Sequence, residues 1–205
     1  MQYANATHQA MTAVDGMWLF LATELLFFGG IFLIWTVYRS LHPAGFAEAT
    51  AHTNLVIGSI NTALLLCSSL SFTLGLGFAR RGDNRMLARL AFLTVLLGLG
   101  FLGLKGVEWW QDFAAHLFPG PGFGIGGVNA GAAQIFYTLY FIATGLHGAH
   151  MIVGICLVGW IAGRARDDAF SSSWYTPVEV VGLFWSFVDL IWLILYPLIY
   201  LQGRA

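Results

Sequence analysis

Five long apolar stretches dominate the sequence and constrain its fold more than any other feature. They cover residues 17–38, 55–79, 87–110, 132–163 and 177–201. A helix needs about 20 mostly apolar residues to cross the hydrocarbon core of a bilayer, and each stretch meets that length. With 58% hydrophobic and 9% charged residues, the chain lacks the charged surface of a water-soluble domain. The sequence therefore predicts an all-α, polytopic membrane protein, with one five-helix domain over residues 1–205.

Arginines concentrate around two of the connections and predict how the bundle is oriented. Cytoplasmic loops of membrane proteins carry an excess of lysine and arginine. The connections between the second and third and between the fourth and fifth spans carry Arg80, Arg81, Arg85, Arg89, Arg164 and Arg166. The opposite side carries only Arg39 and Arg204. We therefore expect a cytoplasmic N-terminus and an external C-terminus.

The fifth span has a clear predicted start at Thr176-Pro177-Val178-Glu179. Proline is favoured at the first helical position, and a threonine followed three residues later by glutamate is typical of a capping box. We therefore expect Thr176 to cap a helix that begins at Pro177.

Ionisable residues inside the apolar stretches are the candidate functional residues. They are Glu24, Lys105, Glu108, His147, His150 and Asp189. Each such group costs about 2.5–3.5 kcal/mol or more at the centre of a bilayer unless it is paired. Lys105 and Glu108 are three residues apart and share a helical face, so we expect them to neutralise each other.

Glu24 and Asp189 have no charged partner on their own helices. Glu24 must find its partner on another helix. Asp189 follows Trp185 and Ser186 within one turn, so protonation, or bonding to the indole and hydroxyl, would make it tolerable. Both acids are expected to have structural roles.

The two histidines of the fourth span are candidate ligands, proton carriers or helix-interface groups. His147 and His150 lie on one helix and cannot by themselves bind both sides of a haem iron. A zinc site needs three or four converging ligands, and none can be assembled from this sequence. The favoured interpretation is hydrogen bonding across a helix interface, with Gly145 and Gly148 admitting another backbone. We predict no catalytic, cofactor-binding or metal-binding residue.

Five segments carry a family pattern when they are taken in chain order. They are ATELLFFGGIFLIWTVYRSLHP, INTALLLCSSLSFTLG, KGVEWW, YFIATGLHGAHMIVG and LFWSFVDLIWLILYPLIYL. They resemble the Ser-Glu-x-x-x-Phe, Asn-Thr, Glu-Tyr-Tyr, Ala-Thr-Gly-x-His-Gly-x-His and Trp-His-Phe-Val-Asp segments of subunit III of the haem-copper oxidases. The histidine-containing segment is the most specific of these matches. The resemblance runs across nearly the whole chain.

The resemblance implies a five-span bacterial form of a subunit that holds no haem or copper itself. Such a subunit packs against catalytic subunit I, in a complex that includes subunit II, and binds phospholipid. It helps to sustain proton uptake and turnover lifetime during oxygen reduction, in the bacterial inner membrane. No nucleic acid partner is implied. The chain departs from the family at Ser186, where the usual residue is histidine.

Placing Glu24 at the family's membrane glutamate leads to a specific hypothesis. Because neither it nor the histidines has a partner on its own helix, we expect Glu24 to bond to His147 or His150. Several other functions stay open at this point. They are an accessory subunit of a nitric oxide reductase, a quinol oxidase subunit, a haem-carrying cytochrome, and an independent proton or ion carrier using Glu24, Glu108 and Asp189.

Overall fold

The computed structural model describes residues 6–202, which are almost entirely helical. The helices are α1 (Ala6–Leu41), α2 (Pro43–His52), α3 (Leu55–Ala79), α4 (Asn84–Ala114), α5 (Ala130–Arg166) and α6 (Thr176–Tyr196), and a π-helical turn (Pro197–Leu201) extends α6. Within this part of the chain, five helices, all except α2, are long and apolar enough to cross a membrane. The predicted fold class is confirmed. Orientation stays a prediction, and Arg204 lies outside the described residues.

Helix α6 lies at the centre of the bundle and contacts α1, α3 and α5. It is the most buried of the five long helices, whereas α1 is the most exposed. Trp185 of α6 inserts between two glycines of neighbouring helices. A Cβ atom at Gly98 of α4 would lie 3.0 Å from the indole, and one at Gly154 of α5 would lie 2.9 Å from it. The missing side chains therefore allow three helices to meet around one tryptophan.

The short helix α2 was not predicted, because its ten residues are too few and too weakly apolar to resemble a span. It begins at Pro43. A proline costs nothing at this position, because backbone N–H groups in the first turn have no partner within the helix. Phe46 packs edge-on against Trp35 of α1 and Phe136 of α5. Glu48 accepts a hydrogen bond of 3.0 Å from Asn129, just before α5. Helix α2 thus fastens the first span to the start of the fourth.

Side-chain caps start two of the spans. Asp83 accepts a 3.0 Å bond from the Met86 backbone N–H, directly after Gly82, whose φ of 77° suits a residue without Cβ. Asn54 caps α3 in the same way, from the Ile57 N–H.

The capping box predicted at the fifth span is wrong. Thr176 is the first residue of α6, and Tyr175 occupies the N-cap position without a side-chain bond. The Glu179 carboxylate instead accepts a 3.2 Å bond from Arg80, at the end of α3. A cation on a neighbouring helix is a stronger partner for a carboxylate than a neutral backbone N–H. The position of Pro177 in the first turn is as predicted.

Candidate functional site

Lys105 lies at the centre of a buried hydrogen-bonded cluster between α4, α5 and the end of α6. Its Nζ donates to Glu108 Oε2 at 3.0 Å, to the Tyr140 hydroxyl at 3.1 Å and to the Tyr200 hydroxyl at 2.9 Å. An ammonium group has three N–H donors, so all of them are used. The predicted pairing of Lys105 with Glu108 is present, and their side chains are only 7% and 2% exposed.

Two tyrosines extend this cluster to a second carboxylate. The Tyr200 hydroxyl donates to both Glu108 oxygens, at 2.7 and 2.8 Å. The Tyr140 hydroxyl donates to Asp112 Oδ2 at 2.9 Å. The ammonium also lies 4.5 Å from the Tyr140 ring centroid, within the range of cation–π attraction. We call Lys105, Glu108, Asp112, Tyr140 and Tyr200 the lysine cluster.

Three members of the lysine cluster were not among the predicted residues: Asp112, Tyr140 and Tyr200. Asp112 follows Glu108 by four residues and so lies on the same helical face, and that spacing could have identified it. Tyr140 and Tyr200 come from other elements, and no spacing within one helix connects them to Lys105. Their hydroxyls still fit a general expectation, since a buried charge needs each of its donors satisfied.

Glu24 and His150 form a second polar pair, between α1 and α5. His150 Nε2 lies 3.2 Å from Glu24 Oε2, and His150 Nδ1 lies 2.8 Å from the Leu146 carbonyl oxygen. The predicted bond between Glu24 and one of the two histidines is therefore confirmed for His150. Both side chains are 20% exposed and lie near the middle of their helices, so the pair faces outward at mid-depth.

The bonding pattern fixes the total charge of this pair. The Leu146 carbonyl can only accept, so His150 Nδ1 must carry a hydrogen. A neutral ring then has only a lone pair at Nε2, which cannot form a hydrogen bond with an ionised carboxylate. One further proton must therefore lie between Nε2 and the Glu24 carboxyl group. On the histidine it makes an imidazolium beside a carboxylate, and on Glu24 it makes a neutral acid beside a neutral ring. The pair is neutral overall in both forms, which suits its place in the hydrocarbon layer.

Replacing Glu24 with alanine should lower the free energy of unfolding by about 1–3 kcal/mol, because His150 Nε2 loses its partner. Glu24→Gln should cost clearly less, since the amide N–H can donate to the neutral ring. Thermal unfolding of the detergent-solubilised protein measures both variants. Equal losses in the two would show that the charge matters rather than the hydrogen bond, and wild-type stability in both would contradict the prediction.

His147 has different surroundings from His150, and its predicted cross-helix hydrogen bond is wrong. Neither ring nitrogen has a hydrogen-bond partner among the described residues, and the side chain is buried. The ring packs against Phe101 of α4 and Trp192 of α6, with centroids 5.5 and 5.1 Å away. A ring enclosed by two aromatic side chains is oriented by packing rather than by hydrogen bonds.

The predicted role of the two glycines beside the histidines is also wrong. A Cβ at Gly145 would meet the indole of Trp109 at 3.4 Å, and one at Gly148 would meet nothing within 4 Å. Neither glycine therefore admits another backbone. Both instead line a groove between α4 and α5.

Asp189 is buried in α6, but the partners predicted for it are wrong. Neither carboxylate oxygen has a hydrogen bond among the described residues, although the Ser69 hydroxyl of α3 lies close enough to interact weakly. The Trp185 indole N–H donates to Ser68 at 3.3 Å instead. Ser186 is exposed and lines a groove between α1 and α6. A protonated Asp189 stays a prediction.

The chemistry that these residues can perform is the holding and sharing of protons. In the part of the chain whose side chains are described, no three His, Cys, Asp or Glu residues converge to hold a metal ion. The lysine cluster combines an ammonium, two carboxylates and two hydroxyls in continuous hydrogen-bonded contact. The second pair adds a carboxyl and an imidazole that share a proton.

Comparison with known proteins gives a consistent result. The family described as Cytochrome c oxidase subunit III matches residues 3–204. A cytochrome c oxidase subunit 3 from Synechocystis is 30% identical, over 91% of this chain and 74% of the relative. A probable cytochrome c oxidase subunit 3 from Nocardia farcinica is 30% identical, over 90% and 85%. A cytochrome c oxidase subunit 3 from Latimeria chalumnae is 33% identical, over 92% and 69%.

The five membrane-length helices and their buried polar groups define a multi-pass helical membrane protein. The match across nearly all of its sequence is specific to one class of such proteins. The chain belongs to the cytochrome c oxidase subunit III family, as the resemblance of its five segments predicted.

Proposed function

We propose that the chain is a subunit III of a respiratory haem-copper terminal oxidase of a bacterial inner membrane. The observation that carries this proposal is the family match over residues 3–204. In such a complex the chain packs against catalytic subunit I, together with subunit II, and stabilises it. Haem and copper belong to those partners, and this chain supplies no catalytic residue.

The surroundings of the two membrane histidines support a role without a redox centre. Both nitrogens of His150 are engaged, one by a backbone carbonyl and one by Glu24. The ring of His147 is enclosed by Phe101 and Trp192. An axial haem ligand must present a ring nitrogen to an iron in an open space, and neither environment fits that requirement.

Purification tests the proposal directly. The tagged chain, extracted from its native membrane in a mild detergent, should co-purify with a catalytic subunit and a copper-site subunit II. The complex should show haem absorption, whereas the chain alone should show none. Co-purification with nitric oxide reductase subunits, or with a quinol oxidase, would replace the proposal by one of those assignments. Proton flux into liposomes that contain only this chain would favour an independent carrier.

Support of proton uptake is the functional part of the proposal. The oxidase complex that contains this subunit should sustain turnover for longer than the complex without it. It should also take up protons faster from the cytoplasmic side. Equal rates and equal lifetimes would leave the subunit with an assembly role only.

Phospholipid is the remaining ligand in the proposal, and one groove of the bundle suits an acyl chain. The groove lies between α4 and α5, has a volume of about 300 Å³, and is shaped by Gly106, Gly145 and Gly148. Its other lining side chains are mainly apolar, as the methylenes of a lipid tail require. The Lys105 side chain forms part of its inner wall.

Filling this groove should displace the lipid. Gly148→Leu should reduce the phospholipid that co-purifies with the chain, because its side chain occupies the space where the tail lies. Gly159→Leu is the matched control: it lies on the same helix, is equally open around its Cβ and lies outside the groove. Lipid analysis of the purified protein measures both. Equal lipid content in the two variants and the wild type would exclude this groove as the site.

A further inference from the structure

Asp112 is buried near the end of α4, but it also lines an open cavity at that end of the bundle. The whole residue is only 6% exposed. The cavity has a volume of about 560 Å³ and lies between the end of α2, the start of α3 and the end of α4. Asp112 Oδ2 accepts the bond from Tyr140, whereas Oδ1 makes no hydrogen bond with any described residue. One oxygen of a buried carboxylate beside a cavity therefore has no hydrogen-bond partner among the described residues.

The charges of the lysine cluster do not balance when both acids are ionised. Glu108 receives hydrogen bonds at both oxygens, from Lys105 and Tyr200, which is the arrangement of an ionised carboxylate. Lys105 neutralises that one charge. An ionised Asp112 would give the buried cluster a net charge of −1, and uncompensated charge is costly inside a protein. A single proton on Asp112 makes the cluster neutral.

The other groups around Asp112 leave this balance unchanged. Among the described residues, the titratable groups facing it from other elements are Tyr137 and Tyr140 from α5, Tyr200 from the π-helical turn and His52 on the cavity wall. The tyrosines are uncharged hydroxyls at neutral pH. His52 ends α2 and is exposed, so any charge it carries is screened by solvent. Within residues 6–202, Lys105 is the cation that interacts with Asp112.

The two tyrosine hydroxyls connect the acids through Lys105. Each hydroxyl accepts a bond from the ammonium and donates one to a carboxylate, Tyr140 to Asp112 and Tyr200 to Glu108. A change of charge at Asp112 therefore affects Glu108 through a continuous chain of hydrogen bonds. The charge on Glu108 in turn determines whether Asp112 retains a proton.

We propose that Asp112 is a proton-binding group that exchanges with the aqueous phase through this cavity, and that Lys105 and Glu108 set the charge balance that makes it bind one proton. The inference goes beyond the proposed function, which assigns no proton-binding group to this chain. The cavity lies at the end of the bundle opposite the arginine-rich connections, because α4 begins beside one of those connections and ends at Ala114.

Infrared spectroscopy of the purified full chain in detergent tests this site through the C=O stretch of a protonated carboxyl group. The wild type should show a band that disappears as the pH is raised and that shifts promptly in D₂O, since the cavity is open. Glu24 and Asp189 can contribute bands of their own, so the relevant band is the one absent from Asp112→Asn. Glu179→Gln, an acid of the arginine-rich end, is the control and should keep it.

Two further variants separate a charge-balanced site from an ordinary buried acid. Glu108→Gln should lose the band at neutral pH, because Lys105 then neutralises Asp112 alone. Tyr140→Phe should keep the band to higher pH, because the ionised form of Asp112 loses a donor. The proposal fails if Asp112→Asn removes no band, if the band does not shift in D₂O, or if both variants titrate like the wild type. These results are independent of which subunits co-purify, so either proposal can fail alone.

Discussion

Lys105→Met should lower the free energy of unfolding by about 3–5 kcal/mol, since removing one member of a buried ion pair leaves the other charge without compensation. Lys105 supplies hydrogen bonds to three side chains on three elements, and its removal leaves the buried Glu108 carboxylate without a cation. The expected result is a protein that unfolds at a clearly lower temperature in detergent, measured by tryptophan fluorescence or by aggregation on heating.

Two comparisons isolate the cause of that loss. Arg85→Met removes a cation from an exposed position near the start of the same helix and should change stability little. The double variant Lys105→Met/Glu108→Gln should recover part of the loss, because it removes the charge that Lys105 compensated. A double variant no more stable than Lys105→Met would show that packing around the lysine, rather than its charge, holds the cluster together.

Gly154→Leu should destabilise the bundle by about 1–3 kcal/mol or more, because the site is already filled by an indole. A Cβ at this position would lie 2.9 Å from one ring carbon of Trp185 and 3.3 Å from Phe184. The indole has no room on the far side, since its Cη2 edge lies against Gly98 of α4, where an added Cβ would be only 3.0 Å away. The new side chain must therefore push α5 and α6 apart, and thermal unfolding should report the loss.

Gly159→Leu is the matched control for this prediction. It makes the same change on the same helix, where a Cβ meets nothing within 4 Å. Its stability should stay close to that of the wild type, with a small gain from replacing a helical glycine. Equal destabilisation by both substitutions would mean that the loss comes from the helix backbone and not from the contact with Trp185.

The spans could be predicted from the sequence because membrane thickness fixes the length of an apolar helix. The second predicted stretch, 55–79, matches α3 residue for residue, while α4 and α5 extend beyond their stretches by two to four residues at each end. Helix α1 begins well before residue 17, since polar residues continue a helix outside the hydrocarbon layer. Helix α2 could not be found in this way, because it does not cross the bilayer.

The partner of a buried polar side chain could be predicted in two situations only. Either both residues lay on one helix at a suitable spacing, or every other partner had been eliminated. Lys105 and Glu108 were found from their spacing, and Glu24 was matched to a histidine because neither had another partner. Asp189 was assigned neighbours on its own helix, but Trp185 reaches Ser68 across the bundle. Which side chains meet between helices depends on how each helix is rotated, and a single sequence does not specify that rotation.

The lysine cluster also implies an order of events while the chain is being made. Its ion pair is complete within α4, so Lys105 and Glu108 can enter the membrane as a neutral pair. Tyr140 arrives with the next span, and Tyr200 follows only after α6. The ammonium therefore acquires its last two partners when the later helices dock. The finished network then joins the last three spans through hydrogen bonds to one lysine.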